Sequence, residues 1–286
     1  DTAILETRLV SEHCWTWRKN VWIADEDKKH AFDSPQVEGG IDMGLDRMAV
    51  PYRLVMLVDA SRAGSWTMVR SALGRSDPFN RDQGAAQGGA DSPDLWTIFE
   101  DPFCTEMEKA EEDPQADPLV MTVSFTRPVK VTGKSFADDK RYVSATHAGM
   151  ESRFRIAEMF NHFTEMEMKP PKCSVQALVY HWKEKMFASK EHLPRVTVAM
   201  HTGGTATIQH KDADDPQKTL GIQATAALSD GWAVQEATEV ADRTAACIRA
   251  GNAPEELWTR LMGTVAERAA LYKLQIAAIG PADMHS

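Results

Sequence analysis

"ALSDGW", residues 227–232, closes an alternating apolar run and stands just before a strongly helical stretch. An aspartate in that position has two readings. Beside other acids at the mouth of a strand, Asp230 is a metal ligand; alone ahead of a helix, it is an N-cap that accepts hydrogen bonds from the free N–H groups of the first turn. The residues that follow suit a cap. Val234, Ala237, Ala241, Ala245 and Ile248 form one apolar stripe, and Gly251-Asn252 ends it. "APEEL" then opens a second helix through Leu257, Leu261, Val265 and Ala269. This predicts an antiparallel helix pair packed on a sheet.

Working outward, strand-like runs occur at 52–58, 119–125, 195–210 and 219–228. The polar segments 76–94, 108–118 and 211–217 carry too little apolar surface to order themselves and read as loops or insertions. In "VTVAMHTGGTATIQHK" the Gly203-Gly204 pair predicts a two-residue hairpin turn, with Thr202 facing Thr205. His201 and His210 then lie about 13 Å apart at ~3.3 Å per residue, too far to share one metal. The His-x-x-Glu pairs His162/Glu165 and His181/Glu184 read as solvated faces, because di-metal bundles use the reverse order.

A net charge of −10 over 286 residues argues against a nucleic-acid or anionic-membrane surface as the main partner. No apolar run approaches the roughly 20 residues that span a bilayer. Cys14, Cys104, Cys173 and Cys247 form no C-x-x-C pair, which predicts reduced, intracellular thiols rather than zinc or redox chemistry. The chain opens on Asp1, so a lost presequence and an organellar matrix are compatible with it, and the compartment stays open.

Several stretches, read in order over residues 14 to 280, resemble the metal-dependent serine/threonine protein phosphatases of the type 2C (PPM) class. "WRKNVWIA" keeps Trp17, Arg18 and Ala24 of that family's first motif, with Trp22 and Ile23 in place of its acids. "LVMLVDASRAGS" supplies a strand and Asp59, and "ALSDGW" supplies Asp230. "VMTVSFTRPVKVTGKSFADDK" matches at Arg127, Val129, Gly133, Lys134, Asp138 and Lys140. Lys169 matches a further motif in which Thr164-Glu165 replace Gly-Asp, and Tyr272-Lys273 fall where a final Asp-Asn belongs.

The resemblance implies an α+β fold: a single domain over 1–286, built as a four-layer α-β-β-α sandwich of two antiparallel sheets flanked by helix pairs, with insertions near 76–118 and 211–217. It implies Asp59 and Asp230 as residual metal positions and Arg18 as the phosphate-binding residue. A bimetal centre needs several carboxylates to neutralise two hard dications, and most are replaced here, which predicts at most one weakly held Mg or Mn. The expected function is therefore a catalytically inactive, phosphatase-like structural or regulatory subunit whose partners are other protein subunits. Two alternatives stand beside it. One is a divergent active phosphatase using loop acids such as "ADED" (24–27) or "DADD" (212–215); the other is a von Willebrand A-type Mg-dependent binding domain, from "DASRA".

Overall fold

The structure, a computed structural model, describes residues 2–29, 41–63, 66–72, 74–80, 92–113, 116–124, 127–136, 139–219 and 222–228, with positions 238, 239, 242 and 246. Helix α1 (Thr2–Trp17) leads into strand β1 (Val21–Glu26), followed by helices α2 (Asp42–Arg47) and α3 (Tyr52–Ala63). Short strands β2 (Trp66–Thr67), β3 (Arg70–Ser71), β4 (Gly74–Arg75) and β5 (Phe79–Asn80) precede α4 (Ser92–Glu112). A hairpin of β6 (Leu119–Ser124) and β7 (Arg127–Val131) comes next, then β8 (Gly133–Phe136), β9 (Asp139–Ser144), α5 (His147–Thr164) and β10 (Ser174–Leu178). The remaining strands are short: β11 (Tyr180–His181), β12 (Met186–Phe187), β13 (Thr197–Ala199), β14 (Thr205–Thr207), β15 (Gln209–His210), β16 (Gln217–Thr219) and β17 (Ile222–Ala224).

The chain divides into two compact units, one of residues 1–23, 176–193 and 210–286, the other of residues 24–175 and 194–209. The largest sheet has five strands in the order β15-β10-β1-β9-β8. Along the chain, β1, α4, β8, β9, α5 and β10 follow the β-α-β-β-α-β pattern, in which the second strand of a hairpin lies beside the first strand of the chain. β8 and β9 pair antiparallel with Gly133 opposite Tyr142 and Phe136 opposite Asp139.

In the second unit the core is aromatic. Phe99 and Phe103 of α4 meet Phe160 of α5 at 5.3 and 5.5 Å between ring centres, and Tyr142 of β9 stands edge-on to Phe154 at 5.4 Å. Each such buried side chain contributes about 1.5–3 kcal/mol. Helix α4 forms because Leu95, Trp96, Phe99, Phe103, Met107 and Ala110 recur at helical spacing on one buried face, with Pro102 carried inside. Helix α5 starts where the Thr146 hydroxyl accepts the Gly149 N–H at 3.1 Å, and it stops at Glu165, whose φ of 54° is left-handed.

Several sequence expectations change. The run at 52–58 is helix α3, not a strand; its half-buried positions Val55, Val58 and Asp59 fall at i, i+3 and i+4, and the Pro51 carbonyl accepts the first helical hydrogen bonds from Leu54 and Val55. Most of 92–118 is α4 rather than an insertion loop, because its apolar residues recur on one buried face while most of its acids, Glu100 excepted, lie off that face. The β13–β14 hairpin is present, but Ala199 stands opposite Thr205, so Thr202 does not face Thr205 and the connection is longer than two residues. Gly203 and Gly204 take φ of 101° and 81° inside it. The fold is mixed α+β. Among the described residues one sheet has five strands and the others two each, so the four-layer pair of large sheets is not what positions the site. Of the predicted helix pair after Asp230, positions 238, 239, 242 and 246 are helical, and the rest lies outside the described residues. Among the described residues no helix is long and apolar enough to cross a membrane.

Candidate functional site

The contacts of β1 with β9 fix their relative direction. On the packed side Glu26 accepts a hydrogen bond from the Tyr142 hydroxyl. Two residues beyond Glu26, Lys28 places its ammonium over the Phe160 ring at 4.8 Å, and two residues back along β9, Lys140 reaches the same ring at 5.1 Å. Advancing from 26 to 28 therefore matches retreating from 142 to 140, and the two strands run antiparallel. Side chains alternate across a sheet, so Asp25, Asp27, Asp139 and Arg141 share the opposite side. Asp25 agrees with this placement, holding Arg141 with a bidentate pair at 2.6 and 2.7 Å.

The packed side is polar for a core. Lys140 pairs with Glu100 at 2.8 Å, with side-chain exposures of 0% and 5%. Burial pushes Lys28 down to about 7, with the nearby Lys140 charge adding to the effect. Lys140 is raised despite its burial, because Glu100 and Glu26 favour its charge. Burial and the Glu26 charge raise the Tyr142 hydroxyl well above its ordinary value. Asn161 donates to Glu158 at 2.9 Å and to Glu26 at 3.5 Å, and Glu158 in turn holds His201 through its backbone N–H and its ring at 3.0 and 2.9 Å. This network fixes the ends of β1 and β9 from behind.

On the other side Asp27 and Asp139 stand at neighbouring strand ends. The Asp27 backbone is pinned: its carbonyl accepts the Lys169 N–H at 2.9 Å, and its N–H donates to the Cys173 sulfur at 3.4 Å. Burial pushes the Cys173 thiol up to about 12, so it serves as a structural partner and not as a nucleophile. The Asp27 carboxylate is partly exposed and lies 3.5 Å from the Lys172 ammonium. Asp139 is exposed at the first position of β9. Asp138, its neighbour in the sequence, lies outside the described residues. Among the described residues no group of three or more acid, histidine or cysteine side chains stands together to hold a metal ion. This face supplies Asp25, already held by Arg141, together with Asp27 and Asp139, and Lys172 beside Asp27.

The residues singled out by the sequence fall elsewhere. Asp59 is half-buried on α3, not at a strand mouth. Arg18 is exposed, takes a left-handed φ of 52°, and lies 5.1 Å over the Tyr180 ring, so it stacks on an aromatic ring within the first unit. Asp230 lies outside the described residues. His181 pairs with Glu184 at 3.4 Å across a hairpin turn, and His162 and Glu165 sit exposed at the end of α5. The acids at 25–27 and 138–139 were visible in "VWIADED" and "SFADDK", where an apolar strand runs straight into clustered carboxylates.

No family model matches the chain, and no curated protein does. Two solved structures are similar to it: apo telomerase from Candida tropicalis truncated from the C-terminal domain, at 13% identity and a TM-score of 0.45, and telomerase from Candida tropicalis in complex with the TWJ fragment of telomeric RNA, at 11% and 0.41. The likeness covers 64% and 66% of this chain but only 38% and 34% of those chains. Both are telomerases and neither is a phosphatase. The helical placement of Asp59, away from any strand mouth, removes the metal position on which the expected inactive phosphatase-like subunit was read, and the active phosphatase and von Willebrand A-type alternatives with it.

Proposed function

We propose that the second unit is a magnesium-dependent nucleotidyl transferase of the polymerase class, with Asp27 and Asp139 as its metal-binding acids. The observation that carries this reading is the juxtaposition of Asp27 and Asp139 at adjacent antiparallel strand ends, on the side away from α4 and α5. Mg²⁺ demands six hard oxygens, and sites with one or two carboxylates complete that shell with water and the phosphates of the substrate. A substrate that brings its own phosphate oxygens is a nucleoside triphosphate. A hydrolase holding its metals with protein groups alone needs a richer cluster than this.

Asp27 and Asp139 would hold the ion together with the oxygens of a triphosphate, and it would supply neutralisation of the charge that develops on the transferred phosphoryl group. The chain's own groups have separate work. The Asp27 backbone is pinned, Arg141 keeps Asp25 engaged, Lys172 stands beside the Asp27 carboxylate, and Lys29 pairs with Glu167 at 2.8 Å. The overall charge of −10 averages over the whole chain and does not describe this face. Nucleic acid is therefore the substrate class, as primer and as template.

The test is primer extension with labelled nucleotides on RNA and on DNA templates, with Mg²⁺ and then Mn²⁺. Incorporation on either template is expected, with Asp27→Asn and Asp139→Asn each lowering it by about a thousandfold, or roughly 4 kcal/mol of transition-state stabilisation. Circular dichroism of each variant controls for folding. No incorporation on any template by the folded wild-type chain, or full activity in Asp27→Asn, overturns the proposal.

A further inference from the structure

The first unit carries an exposed aromatic surface that the acidic site does not use. Trp15, on the last turn of α1, stacks on Phe187 of β12 at 4.7 Å between ring centres. Phe187 meets Tyr180 of β11 edge-on at 5.2 Å, and Tyr180 meets Trp182 at 5.0 Å. The β11–β12 pairing, Tyr180 opposite Phe187, holds this ladder of rings in place. Its ends are open: Trp15 is 45% exposed and Trp182 66%, and Trp17, two residues on from Trp15, is 66% exposed. Burial of such rings is strongly favourable, so leaving three tryptophans in water points to a ligand.

The charge around the ladder selects the ligand. Arg18 lies over Tyr180, and the turn between β11 and β12 carries Lys183 and Lys185, both exposed, while its Glu184 pairs with His181. A chain of net charge −10 thus places positive groups around an exposed aromatic surface. Behind the hairpin a cavity of about 620 Å³ is lined by Trp15, Phe187, His181 and His192, with Asp212 and Asp214 beside Lys190 and Lys211 on its wall. Flat rings with cationic neighbours are how proteins hold single strands without reading sequence, since every base has a face to stack.

We propose that this surface binds single-stranded nucleic acid, with bases stacked on Trp15 and Trp182 and the backbone phosphates held by Arg18, Lys183 and Lys185. The inference stands on the first unit alone and goes beyond the nucleotidyl-transfer reading. The experiment is fluorescence anisotropy of the full chain with short labelled oligo-dT and oligo-U strands, and with an abasic strand of the same length. Trp182→Ala is expected to weaken binding of the base-bearing strands about 5- to 150-fold, the range of one lost stacked base. Trp66→Ala, a 68% exposed tryptophan in the second unit, leaves it unchanged. Lys183→Ala lowers the salt slope by about one. Strand affinity is read without Mg²⁺ or nucleoside triphosphate, and primer extension reads the catalytic proposal, so failure of the catalytic reading and failure of this one are separable. Equal binding of the abasic strand, or wild-type affinity in Trp182→Ala, overturns the proposal. So does a sedimenting dimer that Trp182→Ala dissolves while no strand binds, which assigns the surface to a second copy of the chain.

Discussion

Replacing Lys140 with Met tests the buried brace behind the acids. Lys140 is wholly enclosed, 2.8 Å from the Glu100 carboxylate and 3.6 Å from the centre of the Phe103 ring. Removing its charge leaves Glu100 and Glu26 in an apolar setting with one compensating cation fewer. Breaking one side of a buried pair costs about 3–5 kcal/mol, because the remaining charge has lost its partner and has no water. For a chain of this size that is roughly 6–20 °C in Tm, at roughly 2–4 °C per kcal/mol. The double variant Glu100→Leu, Lys140→Met removes both charges and their desolvation together, and is expected within about 1 kcal/mol of the wild type. Urea unfolding followed by circular dichroism, with refolding checked, measures the four corners of this cycle. If Lys140→Met costs under about 1 kcal/mol, or the two single losses simply add in the double variant, the pair is not the coupled buried unit described here.

Other consequences follow from the same unit. Thr146→Ala removes the α5 cap and is expected to cost about 1 kcal/mol, read by the same unfolding assay. At Gly149 a methyl group meets the Ala116 carbonyl oxygen at 2.6 Å as well as the Ser144 hydroxyl, so Gly149→Ala is expected to cost roughly 1–3 kcal/mol; a neutral result contradicts the close approach. Lys28, lowered by burial to about 7 from its ordinary 10.5, makes stability depend on pH. Between those two values the unfolded chain holds a proton that the folded chain has released, so unfolding takes up a proton and stability rises with pH. Below that window both states are protonated and the full penalty of the buried cation is present. Lys28→Met is expected to flatten the slope and to stabilise the protein at pH 7; an unchanged slope contradicts the assignment.

The sequence revealed those parts of the fold that local chemistry dictates. The alternation at 119–125 is β6, and Gly203-Gly204 marked a real hairpin, because both positions there need the positive φ that glycine adopts without strain. The 52–58 run misled, since an unbroken apolar stretch fits a buried strand and a helix alike, and the deciding signal was Pro51 at its start. Helix α4 was hidden by its acidic outer face. The site was harder still. Asp27 and Asp139 are 112 residues apart by subtraction of their positions, and only the strand order brings them side by side. The charges that brace them, Lys28, Lys140 and Glu100, look like ordinary surface residues in the sequence, and nothing local signals that they are buried.

The placement of the metal site can be mapped directly by substituting Fe²⁺ for Mg²⁺ in the presence of a nucleoside triphosphate and generating hydroxyl radicals with ascorbate and peroxide, which cut the backbone beside the bound ion. The account predicts peptide breaks at the end of β1 near Asp27 and at the β8–β9 junction near Asp139, both lost in Asp27→Asn. Breaks confined to other acidic stretches, such as residues 212–215, or a pattern unchanged by Asp27→Asn, would contradict it.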